Sequence, residues 1–253
     1  MATSEGGIST FDFRLSVLLS PSMKLLKFLI GLLLLPLCVA ITQALWALVM
    51  EIHPESESML PAPAIALLAG LGLWLLLYYT LPRPVRSYIL AHELTHALWG
   101  ALMGADIFSI EVHEDHGAVE LSKNNFVITL APYFFPLYTV LAVAGYYGLS
   151  VFFDVEAYHL FWLGVVGVTW GFHLTFTISA LMQHQTDIQQ HGRLFSYAVI
   201  YLCNALGICL WIVMVSSVAL ETLITLLQAH TVAISGVVYD LTVKGIAVVE
   251  KMR

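Results

Sequence analysis

The sequence predicts an all-α polytopic membrane protein of about six transmembrane helices, with one small β-hairpin set between them. Three observations lead there. Hydrophobic residues make up 59% of the 253 positions and charged residues only 11%, against roughly 25% charged in soluble domains. Mean hydropathy is +0.86. Apolar runs recur at about the 20-residue length that crosses a bilayer. Such spans take up most of the chain, so residues 1–253 read as a single integral membrane domain. The net charge of −7, with ten Lys and Arg in all, excludes nucleic acid as a partner, because phosphate binding needs a basic face. Cys38, Cys203 and Cys209 are odd in number and sit in apolar runs, so they read as small core residues and not as a disulfide framework.

Residues 1–23 mix Ser, Thr, Gly and charge around a modest apolar patch and are expected to lie at the membrane surface. Leu25 to Val49 is the first span. Lys24 and Lys27 precede it and Glu51, Glu55 and Glu57 follow it, which predicts a cytoplasmic N-terminus. Pro54, Pro61 and Pro63 punctuate a loop, and Ala64 to Leu81 forms the second span before Pro82, Arg83, Pro84 and Arg86. The third segment, Val85 to Met103, has a helical period but carries His92, Glu93, Thr95 and His96. From Ala105 to Ser122, β-branched and polar residues alternate on both sides of Asp115, His116 and Gly117, the pattern of a hairpin. Spans four to six are expected over Phe126 to Ser150, Tyr158 to Met182 and Leu194 to Leu227. Residues 229–253 read as an amphipathic surface helix.

The string His92-Glu93-Leu94-Thr95-His96 carries the chemistry. Residues four apart share a helix face, so both imidazoles can aim at one zinc ion while Glu93 reaches a metal-bound water. Ionisable side chains inside a membrane helix cost at least about 2.5–3.5 kcal/mol each, so three within little more than a turn call for a metal or a water-filled cavity. Zinc of this type takes a third protein ligand. The spacing HExxHxxGxxH does not supply one, because Trp99 and Met103 stand at its glycine and third histidine. Glu111, His113, Glu114, His116 and Glu120 are candidates that look like the solvated side of a ribbon. Asp187, the one acidic residue between Glu156 and Glu221, lies at a span end from which the chain can fold back. Its competing reading is a helix cap on the next span.

This order of motifs resembles the site-2 protease family of intramembrane zinc metalloproteases, in a divergent form without a PDZ domain. The resemblance covers about Tyr88 to Tyr197, with residues 85–200 as the catalytic core. HELTH matches fully, and Ala131-Pro132 stands where Ala-Gly-Pro is expected. Phe135 replaces an asparagine, Asp187 is followed by Gly192-Arg193-Leu194 in place of a tighter Asp-Gly-Gly-Arg-Leu, and the Asn-Pro element is absent. The resemblance implies one Zn2+ per chain held by His92, His96 and Asp187, with Glu93 as general base. It also implies a substrate that is a membrane protein, cut in or near a transmembrane segment.

Two further roles are expected. His173, buried mid-span, is a candidate for contact with an oxyanion or substrate, and equally an ordinary hydrogen-bonded interior histidine. A hairpin strand edge, Phe108-Ser109-Ile110-Glu111-Val112 or Ala118 to Leu121, could pair with an unwound substrate; the alternative is a hairpin that only plugs the cavity. His113, His116, His184 and His191 read mainly as solvated loop residues near the metal entrance. The rival function from another class is a membrane metal-ion or proton transporter, which would use the same His and Asp groups as an ion path.

Overall fold

A computed structural model describes residues 21–52, 60–183 and 185–252. Most of it is helix, in the order α1 (Pro21–Met50), α2 (Ala62–Thr80), α3 (Val85–Leu102), β1 (Ile107–Val112), β2 (Gly117–Leu121), α4 (Phe126–Leu130), α5 (Leu137–Ser150), α6 (His159–Leu181), α7 (Thr186–His191), α8 (Arg193–Val215) and α9 (Leu220–Lys251). The expected surface segment 1–23 falls almost wholly outside these residues, as do Pro54, Glu55, Glu57 and His184.

Among the described residues, α1, α2, α6, α8 and α9 are long and apolar enough to cross a membrane, and α4 with its following turn plus α5 makes a sixth candidate bent by 80°. Large apolar side chains project outward from these helices, with Leu33 74% and Tyr79 76% exposed. An apolar exterior of that extent is characteristic of a surface meant for lipid or partner contact.

The membership of this set differs from the sequence reading at three places. Helix α3 is absent from it, because His92, Glu93, Thr95 and His96 lower its apolar content. The run from Phe126 to Ser150 is not one straight helix: a 3-10 turn over Ala131–Tyr133 interrupts it, and Pro132 and Pro136 cannot donate the backbone hydrogen bonds that a continuous helix needs. Last, the sixth segment stops at Val215, and a new 32-residue helix, α9, begins at Leu220 and continues to Lys251. Residues 229–251 therefore continue that long helix and do not start a separate one.

Packing fixes the position of the site. Helix α2 lies against α6, where glycine allows the backbones to touch: a Cβ on Gly70 would fall 2.0 Å from the Gly164 carbonyl oxygen, and one on Gly167 2.1 Å from that of Leu67. Such small-residue contacts let apolar helices approach closely. Around Leu130, Tyr133, Ala180, Ile188, Phe195 and Ile200 a buried cluster ties the 3-10 turn, α6, α7 and α8 together beneath α3. Cys209 is buried, Cys38 and Cys203 are half-buried, and all three are free thiols, as the sequence led us to expect.

Strands β1 and β2 pair antiparallel, with Ile110 opposite Val119 and Val112 opposite Gly117. The two-stranded sheet lies against α3, so β2 and the HExxH helix face the same space.

Candidate metal centre

Helix α3 delivers His92 and His96 to one face, one turn apart. Asp187 arrives from the first turn of α7, a six-residue helix whose fold-back is anchored by buried Ile188 and by the Ser196 hydroxyl, which donates to the Ile188 carbonyl at 3.1 Å. Donor atoms of the three side chains all lie within 4.8 Å of one another. Asp187 Oδ2 stands 3.4 Å from His92 Nε2 and 3.6 Å from His96 Nε2. Zinc–ligand bonds of about 2.0–2.1 Å in a tetrahedron put neighbouring ligand atoms about 3.3 Å apart. The two separations between Asp187 and the imidazoles lie near that edge length. Two imidazoles and a carboxylate also form a donor set suited to zinc, so the residues present fit the ion.

Outer contacts orient these ligands. His96 Nδ1 donates to the Ile128 carbonyl at 2.9 Å, which directs Nε2 toward Asp187. Asn125 caps α4 by accepting from the Val127 and Ile128 amides, holding that carbonyl in place. Tyr133 donates to Asp187 Oδ2 at 3.0 Å, and the Tyr88 hydroxyl sits 3.3 Å from His92 Nδ1. Burial would raise the Asp187 carboxyl, but the two imidazoles outweigh it and hold the group below the usual carboxylate range.

Glu93 is 7% exposed and opens into the same space. A cleft of about 300 Å³ is lined by His92, Glu93, His96 and Asp187 together with Gly117, Ala118, Val119 and Leu121 of β2. On the other side of Glu93 a second cavity of about 380 Å³ extends past Arg83, Asp115 and Phe176. Gly117 packs closely on Glu93: a Cβ there would lie 2.7 Å from Glu93 Cγ and 2.9 Å from its Oε1.

Of the sequence-predicted residues, the structure brings together His92, Glu93, His96 and Asp187. Among the two candidate strands, β2 lines the cleft, whereas Phe108, Ser109, Ile110, Glu111 and Val112 of β1 do not; Phe108 is 63% exposed on the far strand. His173 does not line the cleft; it lines a separate small cavity of about 20 Å³ that also touches His92, and its Nε2 is buried and lacks a hydrogen bond among the described residues. His113 and His116 stack on each other at the exposed hairpin tip, and His116 pairs with Asp115 at 2.7 Å. His191 is no solvated loop residue. It is 2% exposed and accepts at Nδ1 from Lys27 Nζ at 2.6 Å, which ties α7 to α1.

Sequence reasoning missed Tyr133, Gly117's contact with Glu93, and Gln185, which lines both cavities. Tyr133 directly follows Ala131-Pro132 but is otherwise one aromatic among many. Comparisons with protein-family models, curated proteins and solved structures find no match to this chain.

Proposed function

We propose that the protein is a multi-pass membrane protein, with its N-terminus in the cytoplasm, that acts as a zinc-dependent intramembrane endopeptidase on membrane-protein substrates. The observation that carries this reading is the placement of a buried glutamate next to a three-ligand metal set, all opening on one cleft beside a strand. A structural zinc site closes with four protein ligands, whereas a catalytic one leaves a position for water. Three ligands and an adjacent cleft fit the second kind.

His92, His96 and Asp187 would hold a zinc ion, which would supply the Lewis acidity that makes a water acidic near neutral pH and polarises a carbonyl. Glu93 takes the proton released as that water's oxygen adds to the scissile carbonyl carbon. The C–N bond then breaks, and Glu93 returns the proton to the leaving amine nitrogen. One water is consumed and one peptide bond is lost.

A helical substrate hides its carbonyls in its own hydrogen bonds, so it has to be unwound before attack. Strand β2 offers the means. Among the described residues its second edge has no strand partner, and its residues line the cleft, so an extended peptide can add there as a third strand. Peptides from membranes of cells carrying wild type or Glu93→Gln test the reading: a protein cut only in the wild type identifies the substrate. Identical peptide profiles, with both proteins expressed, contradict it.

A further inference from the structure

We propose that Gln185 is a substrate-binding residue whose side-chain amide holds the main chain of an extended peptide across the metal cleft from β2; this rests on the endopeptidase reading. The two cavities that meet at the metal site have four lining residues in common: His92, Glu93, Gly117 and Gln185. A peptide that passes from one cavity to the other has to go through the place where these four converge. His92 is a metal ligand and Glu93 the base. Gly117 offers only backbone there, because a side chain would strike Glu93. Gln185 is the remaining member, and a third cavity of about 210 Å³, reaching toward Arg193 and Tyr197, also opens at it.

The state of its side chain supports the assignment. Gln185 occupies the position before α7 yet makes no side-chain capping hydrogen bond, and its amide engages no other described residue. Two neighbouring polar atoms in the cleft are engaged elsewhere: Asn124 Oδ1 accepts from Thr129, and His96 Nδ1 donates to the Ile128 carbonyl. A primary amide carries one acceptor oxygen and two donor hydrogens, the complement of the C=O and N–H of a peptide unit. It therefore suits any sequence and recognises an unwound main chain, since a helical one has both groups already bonded. With β2 on one flank and Gln185 on the other, the peptide is held on both edges while its carbonyl faces the metal and Glu93.

The test uses full-length, zinc-loaded protein in detergent micelles, with fluorescein-labelled casein as an unfolded probe. Binding is read by fluorescence anisotropy in the Glu93→Gln background, where the probe stays intact, and zinc is measured on the same samples. Gln185→Leu and Gln185→Glu, which both lose the donor, are expected to keep zinc at the parent level and to weaken casein binding about tenfold, the worth of one to two hydrogen bonds. Unchanged binding in both variants overturns the assignment. Loss of zinc along with binding also overturns it, because the effect would then pass through Asp187. If Gln185→Leu binds and cuts casein as wild type does while Glu93→Gln cuts none, only the Gln185 assignment falls. No casein binding by the Glu93→Gln parent and no hydrolysis by wild type would remove the endopeptidase reading itself.

Discussion

Tyr133 reaches from the 3-10 turn that breaks the fourth apolar segment and donates its hydroxyl hydrogen to Asp187 Oδ2 at 3.0 Å. The bend in that segment brings a buried phenol to Asp187, the one member of the candidate metal group that does not lie on α3. Outer contacts of this kind typically change metal affinity by about 10–100-fold. Tyr133→Phe keeps the ring in its buried cluster and removes the donor, so zinc affinity measured against a competing chelator should fall by about tenfold. Unaltered affinity would mean that the phenol serves packing alone.

The ligands themselves should separate by strength. His92→Ala and His96→Ala should abolish stoichiometric zinc, and Asp187→Ala should weaken it. Ligation needs both imidazoles unprotonated, so wild type should also release zinc as the pH falls into the acid range. Metal analysis after dialysis at a series of pH values checks both expectations; zinc retained in the histidine variants would refute the site.

Contact between Gly117 and Glu93 predicts a separation of activity from metal binding. A methyl group at position 117 would lie 2.7 Å from Glu93 Cγ, so Gly117→Ala has to displace either the base or the hairpin. Hydrolysis should drop at least about tenfold, since small misplacements of catalytic groups cost that much or more, while zinc content stays at the wild-type level. Wild-type turnover in Gly117→Ala would show that the hairpin does not position Glu93.

His191 makes the fold acid-sensitive independently of zinc. Burial, reinforced by the nearby Lys27 ammonium, pushes its imidazole down to about 4, from about 6.5 in an unfolded chain. Between those values the unfolded state binds the proton and the folded state does not, so stability is full above about pH 6.5 and declines as pH falls toward 4. Thermal unfolding of metal-free protein in detergent should show a lower midpoint at pH 4.5 than at pH 7. His191→Gln should flatten that difference; an equal pH dependence in the variant would assign the effect elsewhere.

Much of the site was legible in the sequence because its parts are local. HELTH sets His92, Glu93 and His96 together on one stretch of helix, and the scarcity of acidic residues after Glu156 isolates Asp187. The hairpin was visible in its alternation, but which strand faces the metal depends on how the sheet docks on α3, a tertiary fact. Pro132 and Pro136 signalled an interruption that the apolar composition of Phe126 to Ser150 masked. The division between α8 and α9 was hidden for the same reason: hydropathy stays high through Val215 to Leu220, and the chain breaks at Ser216-Ser217 without losing apolar character. Tyr133 lies 54 positions from Asp187 and Lys27 164 from His191, and the place of Gln185 depends on cavity shape; no local pattern encodes any of these.

The central claim is that Glu93 works as a base beside a zinc ion it does not hold. Hydrolysis of labelled casein by purified, zinc-loaded Glu93→Gln in detergent tests this most directly. Zinc at about one per chain with no detectable hydrolysis, beside an active wild type, is the predicted result; cleavage by Glu93→Gln at the wild-type rate would contradict the account.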